Sequence, residues 1–133
     1  CYFPADRLRA LGLEPRDLLK PEHAARARPL LCELLRVALA HYAEAERYIL
    51  AVPRRCVRLR LAVMWPVFIG LPTLTLVARN EGWLDPARPV MVPTPYVKRM
   101  LPISVPVALS NTLTRGWLRS DAGELERAIA ATV

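Results

Sequence analysis

The sequence predicts an all-α protein with one hydrophobic core. Between Glu22 and Ala51, apolar residues recur every three or four positions, which is the spacing of one helix face. Residues 61–78 then run for eighteen positions without a charge, which predicts a second, buried helix. A length of 133 residues, 53% of them hydrophobic, suffices for one domain and excludes a disordered chain.

The chain opens with a short amphipathic helical segment from Pro4 to Gly12. Glycine favours the backbone conformation that ends a helix, so we expect Gly12 to end this one. Pro15 and Pro21 then break the chain before the long helix begins. This first segment is too short to be a domain.

The long helix is predicted over residues 22–51. Its polar side is expected to be solvated and to carry two ion pairs at i,i+3 spacing, Glu33 with Arg36 and Glu44 with Arg47. Its packed side is predicted to comprise Leu31, Leu35, Ala38, Tyr42, Ala45 and Ile49.

Pro53 stops the long helix, and a basic cluster precedes the charge-free run. Leu61–Ala78 is at the lower edge of the length that spans a bilayer, so a transmembrane helix is one interpretation. Pro66 and Pro72 make it a mediocre isolated span and predict a kink. We therefore favour a kinked central helix of a helical bundle. The basic cluster is Arg54, Arg55, Arg58 and Arg60.

After the charge-free run, the proline-rich stretch 83–93 predicts an extended loop. Within it, Val90–Val92 is expected to be a short strand-like segment. Thr94 and Pro95 have the residue types of a helix N-cap and of the first helical position. They predict a third helix that starts at this point.

This third helix is expected over residues 96–117, bent or interrupted at Pro102 and Pro106. A last short helix is expected to start at Ser120 and Asp121. There Asp121 and Glu124 have the spacing of a capping box, which we favour over a catalytic carboxylate pair.

The sequence contains no recognisable catalytic constellation. It has no Gly-x-Ser-x-Gly elbow, no Gly-rich phosphate loop and no His-Glu-x-x-His motif. His23 and His41 share no ligand-type residue at helical spacing and are expected at the surface or its boundary. Cys32 lies in an apolar run and is expected to be a buried thiol. We predict no catalytic residue and no metal ligand in this chain.

The net charge of +7 comes almost entirely from arginine, since Lys20 and Lys98 are the only lysines. This charge suits an acidic ligand or an anionic membrane surface. A basic stripe interleaved with aromatics is missing, so we predict no nucleic-acid partner. The three cysteines form no Cys-x-x-Cys pair, which favours reduced thiols in a cytosolic protein. Because the chain starts at Cys1, we expect a further part upstream.

Several segments, in order, resemble the squalene/phytoene synthase family. Tyr2-Phe3-Pro4-x-Asp6-x-Leu8 is similar to the segment that follows the family's second aspartate-rich motif. The long helix and the run Trp65–Leu74 resemble the next two helices of squalene synthases. Asn80 and Pro89-Val90-x-Val92 resemble the squalene-forming branch more than the phytoene-forming one. The resemblance covers most of the chain and weakens after Leu101.

The resemblance implies the C-terminal part of an all-α isoprenoid synthase bundle, with residues 1–133 forming a single partial domain. In this family, two farnesyl diphosphates condense head to head to presqualene diphosphate, which squalene synthases then rearrange and reduce with NADPH. Two aspartate-rich motifs bind Mg²⁺ and the prenyl diphosphates, and we expect them in a missing upstream half that is the partner of this chain. This chain would supply the apolar cavity wall and be inactive alone. A cytoplasmic location is expected, with peripheral membrane contact because substrate and product are lipids.

The resemblance also implies site residues. Tyr2 and Phe3 are expected near the metal-binding end. Met91 stands where squalene-forming members commonly carry a lysine, which puts the use of NADPH in question and leaves a presqualene or dehydrosqualene product open. Gly70 is expected to leave room for a prenyl chain, and core packing is the alternative for every cavity residue. The expected substrate-binding residues are Ala62, Val63, Pro66, Val67, Gly70 and Thr73.

Two other classes of protein stay open. One is a small helical membrane-associated protein without catalysis, built around residues 61–78. The other is a helical module whose apolar face pairs with another subunit. Solubility without detergent separates the first class from the others. Mg²⁺-dependent activity after addition of the upstream half separates the enzyme from the module.

Overall fold

The chain forms five α-helices joined by turns and one longer loop. A computed structural model describes residues 3–132. Within that range there is no strand, and the predicted all-α class is confirmed. Two 3₁₀ turns, Asp17–Leu19 and Pro21–His23, connect the first two helices. The helices are α1 (Ala5–Ala10), α2 (Ala24–Ala51), α3 (Val57–Arg79), α4 (Thr94–Ala108) and α5 (Asn111–Ala130).

Gly12 ends the first helical segment, as predicted. It has a φ of 67°, and its N–H donates to the Arg9 carbonyl oxygen at 2.9 Å. The N–H of Leu13 donates to the Leu8 carbonyl oxygen at 3.0 Å. These two bonds form a Schellman motif, which needs a left-handed residue at Gly12. Leu8 and Leu13 are both buried in a small cluster that docks α1 on α2.

α2 packs through the predicted side, where Leu31, Leu35 and Ile49 are buried. Cys32 is also buried in the core, as predicted for a thiol that behaves as a small apolar side chain. α2 ends at Ala51, two residues before Pro53. The periodicity of the sequence was sufficient to locate this helix because its two sides differ in polarity.

One of the two predicted ion pairs on α2 is wrong. Arg47 pairs with Glu44 at 3.0 Å, which confirms the second predicted pair. Glu33, however, accepts a hydrogen bond from Arg7 at 2.7 Å rather than pairing with Arg36. The reason is tertiary: α1 lies against α2, and this brings Arg7 to Glu33 across 26 positions of sequence.

α3 contacts α2, α4 and α5. Among the described residues it is the one helix that is long and apolar enough to cross a membrane, and 39% of that apolar stretch is buried against other helices. Core helices meet the same criterion of length and composition. α3 thus packs as the predicted central helix, but only along one side. The buried side comprises Leu61, Met64, Val67, Phe68, Leu71 and Ala78.

The loop and the start of the next helix differ from prediction. Val90–Val92 is irregular, because it pairs with no other strand in residues 3–132. Thr94 is the first residue of α4 and Pro93 occupies the N-cap, one position earlier than expected. No side-chain hydrogen bond caps this end of the helix.

The third helix is not interrupted at its prolines, and it is shorter than predicted. α4 continues through Pro102 and Pro106 and ends at Ala108, whereas the prediction extended it to residue 117. Each proline leaves the carbonyl four residues earlier without its helical donor, and those residues, Lys98 and Pro102, are exposed to solvent. Water can therefore replace the missing donors, so the helix continues.

The last helix begins ten residues earlier than predicted. α5 starts at Asn111, and the Ser110 hydroxyl caps it by accepting from the Leu113 N–H at 3.3 Å. Asp121 and Glu124 lie inside this helix, so the proposed capping box does not exist. Apolar spacing continues through this region, with Leu118 and Leu125 buried, and keeps the helix packed.

Candidate functional site

The residues predicted to line a prenyl cavity lie along α3. Ala62 and Pro66 are exposed, and Val63, Gly70 and Thr73 are partly exposed. Their spacing places these five on one side of the helix. That side is the one that the described part of the chain leaves least covered. Val67 differs from them, because it is 7% exposed and belongs to the core.

Gly70 lies directly beneath Tyr42 of α2. A Cβ atom at position 70 would overlap the Tyr42 hydroxyl oxygen and lie 3.2 Å from the ring carbon that bears it. The space beside Gly70 is therefore taken by a phenol, whereas the sequence led us to expect room for a ligand. Burial raises the pKa of Tyr42 above its ordinary value of 10.0. The same tyrosine lines a groove of about 270 Å³ between α2 and α5, with Leu71 and Leu118.

The backbone of α3 contains two prolines, and a side chain replaces the donor that one of them removes. Pro72 leaves the Phe68 carbonyl oxygen without its N–H partner. The Tyr96 hydroxyl of α4 donates to this oxygen at 2.9 Å. Nearby, the Trp65 indole N–H donates to the Ser104 hydroxyl of α4 at 2.9 Å. α4 is thus bonded to α3 at two positions in the first half of the apolar run.

A partly buried carboxyl lies close to this contact. Burial raises the pKa of Asp121 to about 6, the Trp117 side chain lowers it, and Glu124 raises it. Its Oδ2 atom is buried and has no hydrogen-bond partner in the described part of the chain. Burial and then the charge of Asp121 raise the pKa of Tyr96 to about 12. The ring of Trp117 stacks on Phe68, with centroids 4.5 Å apart.

This cluster was not predicted from the sequence. Asp121 was expected at the start of a helix, although Trp117 and Asp121 are spaced i,i+4 and can share a helix face. That spacing, in a segment whose apolar residues keep a helical repeat, could have indicated that the two side chains lie together. The partners on α3 and α4 could not be inferred from it, since they lie far away in the sequence.

Arg60 belongs in sequence to the basic cluster that precedes the charge-free run, and its side chain is fully buried. It donates to the Val52 carbonyl oxygen at 2.9 Å, to Asn111 Oδ1 at 2.6 Å and to Thr114 Oγ1 at 3.5 Å. Its Nε atom has no partner within residues 3–132. Burial, and secondarily Arg54, lower the pKa of the guanidinium. Arg60 joins the α2–α3 turn to the start of α5.

A second arginine binds the other end of α3. The Arg28 guanidinium of α2 donates to the carbonyl oxygens of Ala78 and Asn80. A cation at this position satisfies helix-end carbonyls and interacts favourably with the helix dipole. A groove of about 760 Å³ opens beside it, also lined by Arg79 and Arg127. Arg79 pairs with Glu124 at 3.0 Å, so much of this positive charge is already engaged.

Phe3 packs on the loop that follows α3. Its ring lies 5.7 Å from that of Trp83, measured between centroids. The Trp83 indole N–H donates to the Ala24 carbonyl oxygen at 3.3 Å, which ties the loop to the start of α2. Tyr2, the other residue expected near a metal, lies outside the described residues.

The described residues do not fit a metal ion or a nucleotide phosphate at the expected positions. Within residues 3–132, no three His, Cys, Asp or Glu side chains are close enough to bind a metal. Met91 is 66% exposed, and its thioether carries no charge or donor for a phosphate. Within residues 3–132, neither Mg²⁺ nor a nucleotide phosphate therefore has an identified ligand.

Comparison with known proteins agrees with the helical architecture. The family model for squalene/phytoene synthase matches residues 1–95, which includes α1, α2 and α3. No curated protein and no solved structure matches the chain significantly. The family match suggests a transferase that joins prenyl groups head to head, and it does not distinguish squalene from phytoene synthesis. Because the match extends over most of the chain, these 133 residues belong to the squalene/phytoene synthase family.

Proposed function

We propose that this chain forms the apolar wall of a prenyl transferase that condenses two farnesyl diphosphates head to head to presqualene diphosphate, and onward to squalene. The aspartate-rich half that binds Mg²⁺ and the diphosphates would lie outside residues 1–133 and pack on this chain. The reductive step with NADPH is left open, because position 91 carries a methionine.

One observation supports this proposal most strongly. α3 is apolar around its circumference, yet Ala62 and Pro66 are exposed on the side that matches the family's cavity-facing positions. A helix of this composition is stable in water only when its remaining side is covered by protein or ligand. A second half of the bundle, with a prenyl chain between the halves, supplies that cover.

The chemistry of the family requires such a wall. Loss of diphosphate from a prenyl donor leaves a carbocation, which water would quench. Aliphatic side chains such as Ala62 and Val63 exclude water and offer no nucleophile to the cation. Tyr42 over Gly70 would form one boundary of this space, because its phenol occupies the gap where the glycine has no side chain.

The experiment fuses this chain to an upstream segment of a relative that carries both aspartate-rich motifs. Release of inorganic diphosphate from farnesyl diphosphate is followed with and without Mg²⁺, and products are identified by mass spectrometry. Ala62→Arg places a charge on the proposed wall and is expected to abolish turnover. The matched control, Ala40→Arg, changes an exposed alanine on α2 and is expected to leave turnover unchanged.

A farnesyl diphosphate analogue with a photoreactive group in its prenyl chain tests the site directly in the same fusion. Crosslinks are expected on the open side of α3, at Ala62, Pro66 or Thr73, and should be reduced by excess farnesyl diphosphate. Equal activity in Ala62→Arg and Ala40→Arg, or crosslinks confined to other helices, would contradict the proposed wall.

A further inference from the structure

Tyr42 fills the gap that Gly70 leaves between α2 and α3. Its hydroxyl oxygen lies where a Cβ atom at position 70 would be, and its Cζ atom lies 3.2 Å from that position. Glycine is unfavourable inside a helix, and here any other residue would collide with the phenol. The two residues therefore form a matched pair, in which the ring takes the volume of the missing side chain.

The same ring lies between two open spaces. On one side is the exposed side of α3, where Gly70 is partly exposed and Pro66, one turn earlier, is exposed. On the other side is the groove of about 270 Å³ between α2 and α5, which Tyr42 lines together with Leu71 and Leu118. Gly70 and Leu71 are consecutive residues of α3, so the two spaces approach each other at Tyr42. The phenol closes the passage between them.

The groove behind the ring is suited to a hydrocarbon chain. Its lining includes the aliphatic side chains of Leu39, Leu71, Leu118 and Ala122. Leu71 and Leu118 are only 1% and 3% exposed, so they belong to the core and offer an apolar floor. The phenol is slightly larger than one isoprene unit. Its removal would join the groove to the space at Gly70 and leave room for one such unit on apolar surface.

We propose that Tyr42 limits the length of the prenyl donor. It admits farnesyl diphosphate and excludes geranylgeranyl diphosphate, which is longer by one isoprene unit. The proposal rests on the prenyl-transfer function above and adds the residue that selects its substrate. The last isoprene unit of the longer donor needs the volume that the phenol occupies, whereas the farnesyl chain does not. Tyr42 is thus a specificity-determining residue that takes no part in the chemical step.

The test is a competition in the fusion described above, supplied with Mg²⁺ and with equal amounts of farnesyl and geranylgeranyl diphosphate. Mass spectrometry measures the ratio of geranylgeranyl to farnesyl groups in the condensed products. Both donors compete for the same enzyme molecules, so this ratio does not depend on how much of a variant is folded. Tyr42→Ala is expected to raise the ratio roughly tenfold or more, which is the discrimination typical of a small change in the size of an apolar pocket.

Three further variants separate an effect of size from simple loss of stability. Tyr42→Phe keeps the ring and should keep the preference for farnesyl groups. Tyr42→Ala combined with Gly70→Leu refills the gap from α3 and should restore that preference. Tyr48→Ala removes the same side chain from a position on α2 that is 62% exposed, and it should leave the ratio unchanged.

Photocrosslinking provides a second readout, which needs binding but no turnover. A geranylgeranyl diphosphate analogue with a photoreactive group at the end of its chain should label Leu118 or Ala122 in the Tyr42→Ala fusion. The same analogue should label neither residue in the unchanged fusion, because the phenol blocks the groove. A farnesyl diphosphate analogue should label the open side of α3, at Pro66 or Thr73, in both.

Failure of this proposal is distinguishable from failure of the proposed function. If the unchanged fusion condenses farnesyl diphosphate and Tyr42→Ala gives the same product ratio, the role of Tyr42 alone is overturned. An equal rise of the ratio in Tyr48→Ala, or equal use of both donors by the unchanged fusion, would also overturn it. An unchanged fusion that neither turns over farnesyl diphosphate nor is labelled by its analogue would overturn the prenyl wall, and the role of Tyr42 with it.

Discussion

The Tyr96 hydroxyl donates a hydrogen bond of 2.9 Å to the Phe68 carbonyl oxygen, the acceptor that Pro72 deprives of its helical donor. A proline in a buried helix normally leaves an unsatisfied carbonyl, which is costly away from water. Here a side chain from α4 satisfies it. The contact explains how α3 can contain Pro72 and still run continuously from Val57 to Arg79.

Tyr96→Phe should destabilise the chain by about 1–2 kcal/mol, because the Phe68 carbonyl oxygen loses its donor in a partly buried site. Urea unfolding followed by circular dichroism measures the change in free energy. Tyr48→Phe is the control, since Tyr48 is 62% exposed and should change stability by less than about 0.5 kcal/mol. Equal effects of the two variants would mean that the hydrogen bond contributes nothing.

Gly70→Ala should destabilise by about 1–2 kcal/mol, because the added methyl group overlaps the Tyr42 hydroxyl oxygen. In a Tyr42→Phe background the cost should fall, since the overlapping atom is gone, and the double-mutant cycle measures this coupling. Gly116→Ala is the matched control in α5, where nothing lies within 4 Å of the added Cβ. It should stabilise by about 0.5–1 kcal/mol through helix propensity. Additive effects of Gly70→Ala and Tyr42→Phe would contradict the contact.

Asp121 should make stability depend on pH. Its folded-state pKa of about 6 lies above the ordinary 3.8, so the folded chain holds the proton more tightly than the unfolded chain between these values. The contribution of Asp121 to the free energy of unfolding is therefore largest below pH 3.8, and it is lost as pH rises through about 6. Asp121→Asn removes the dependence and should raise stability at pH 7 by about 1 kcal/mol, a value already reduced for partial exposure.

Urea unfolding at several pH values between 3.8 and 7 measures this effect of Asp121. Glu126→Gln, at an exposed carboxylate on the same helix, controls for the loss of one negative charge. A stability difference between Asp121→Asn and the unchanged chain that does not vary over this range would show that the carboxyl titrates normally.

Arg60→Ala should destabilise by about 3 kcal/mol or more, because it empties a fully buried site and removes the donor for the Val52 carbonyl oxygen. Arg58→Ala, two residues earlier and exposed, should stay within about 0.5 kcal/mol. Thermal unfolding of both variants compares them. A mild effect of Arg60→Ala would indicate that the turns it joins are held by other contacts.

The chain alone should release no inorganic diphosphate from farnesyl diphosphate in the presence of Mg²⁺. Neither aspartate-rich motif occurs in the 133 residues, and metal-bound carboxylates are what activate the diphosphate as a leaving group. A coupled assay for inorganic diphosphate measures the release, with a complete family member as the positive control. Turnover by the chain would show that it contains the metal site.

The long-range contacts were the least predictable part of the site. Glu33 had a plausible partner in Arg36 one turn away, yet α1 supplies Arg7 instead. Arg60 followed three other arginines and had nothing in its sequence surroundings to indicate burial. Both outcomes depend on which helix ends meet, and local spacing contains no information on that.

The sequence by itself determined the helical class, the spans of α1 and α2, the end of α1 at Gly12, and the family resemblance. Each of these follows from local periodicity, backbone preference or an ordered set of short motifs. Only the tertiary structure decided that α4 continues through Pro102 and Pro106, that α5 begins at Asn111, and that Tyr42 fills the space at Gly70. These features depend on solvent access and on contacts between distant segments, because a proline or a glycine is tolerated according to what lies beside it in space.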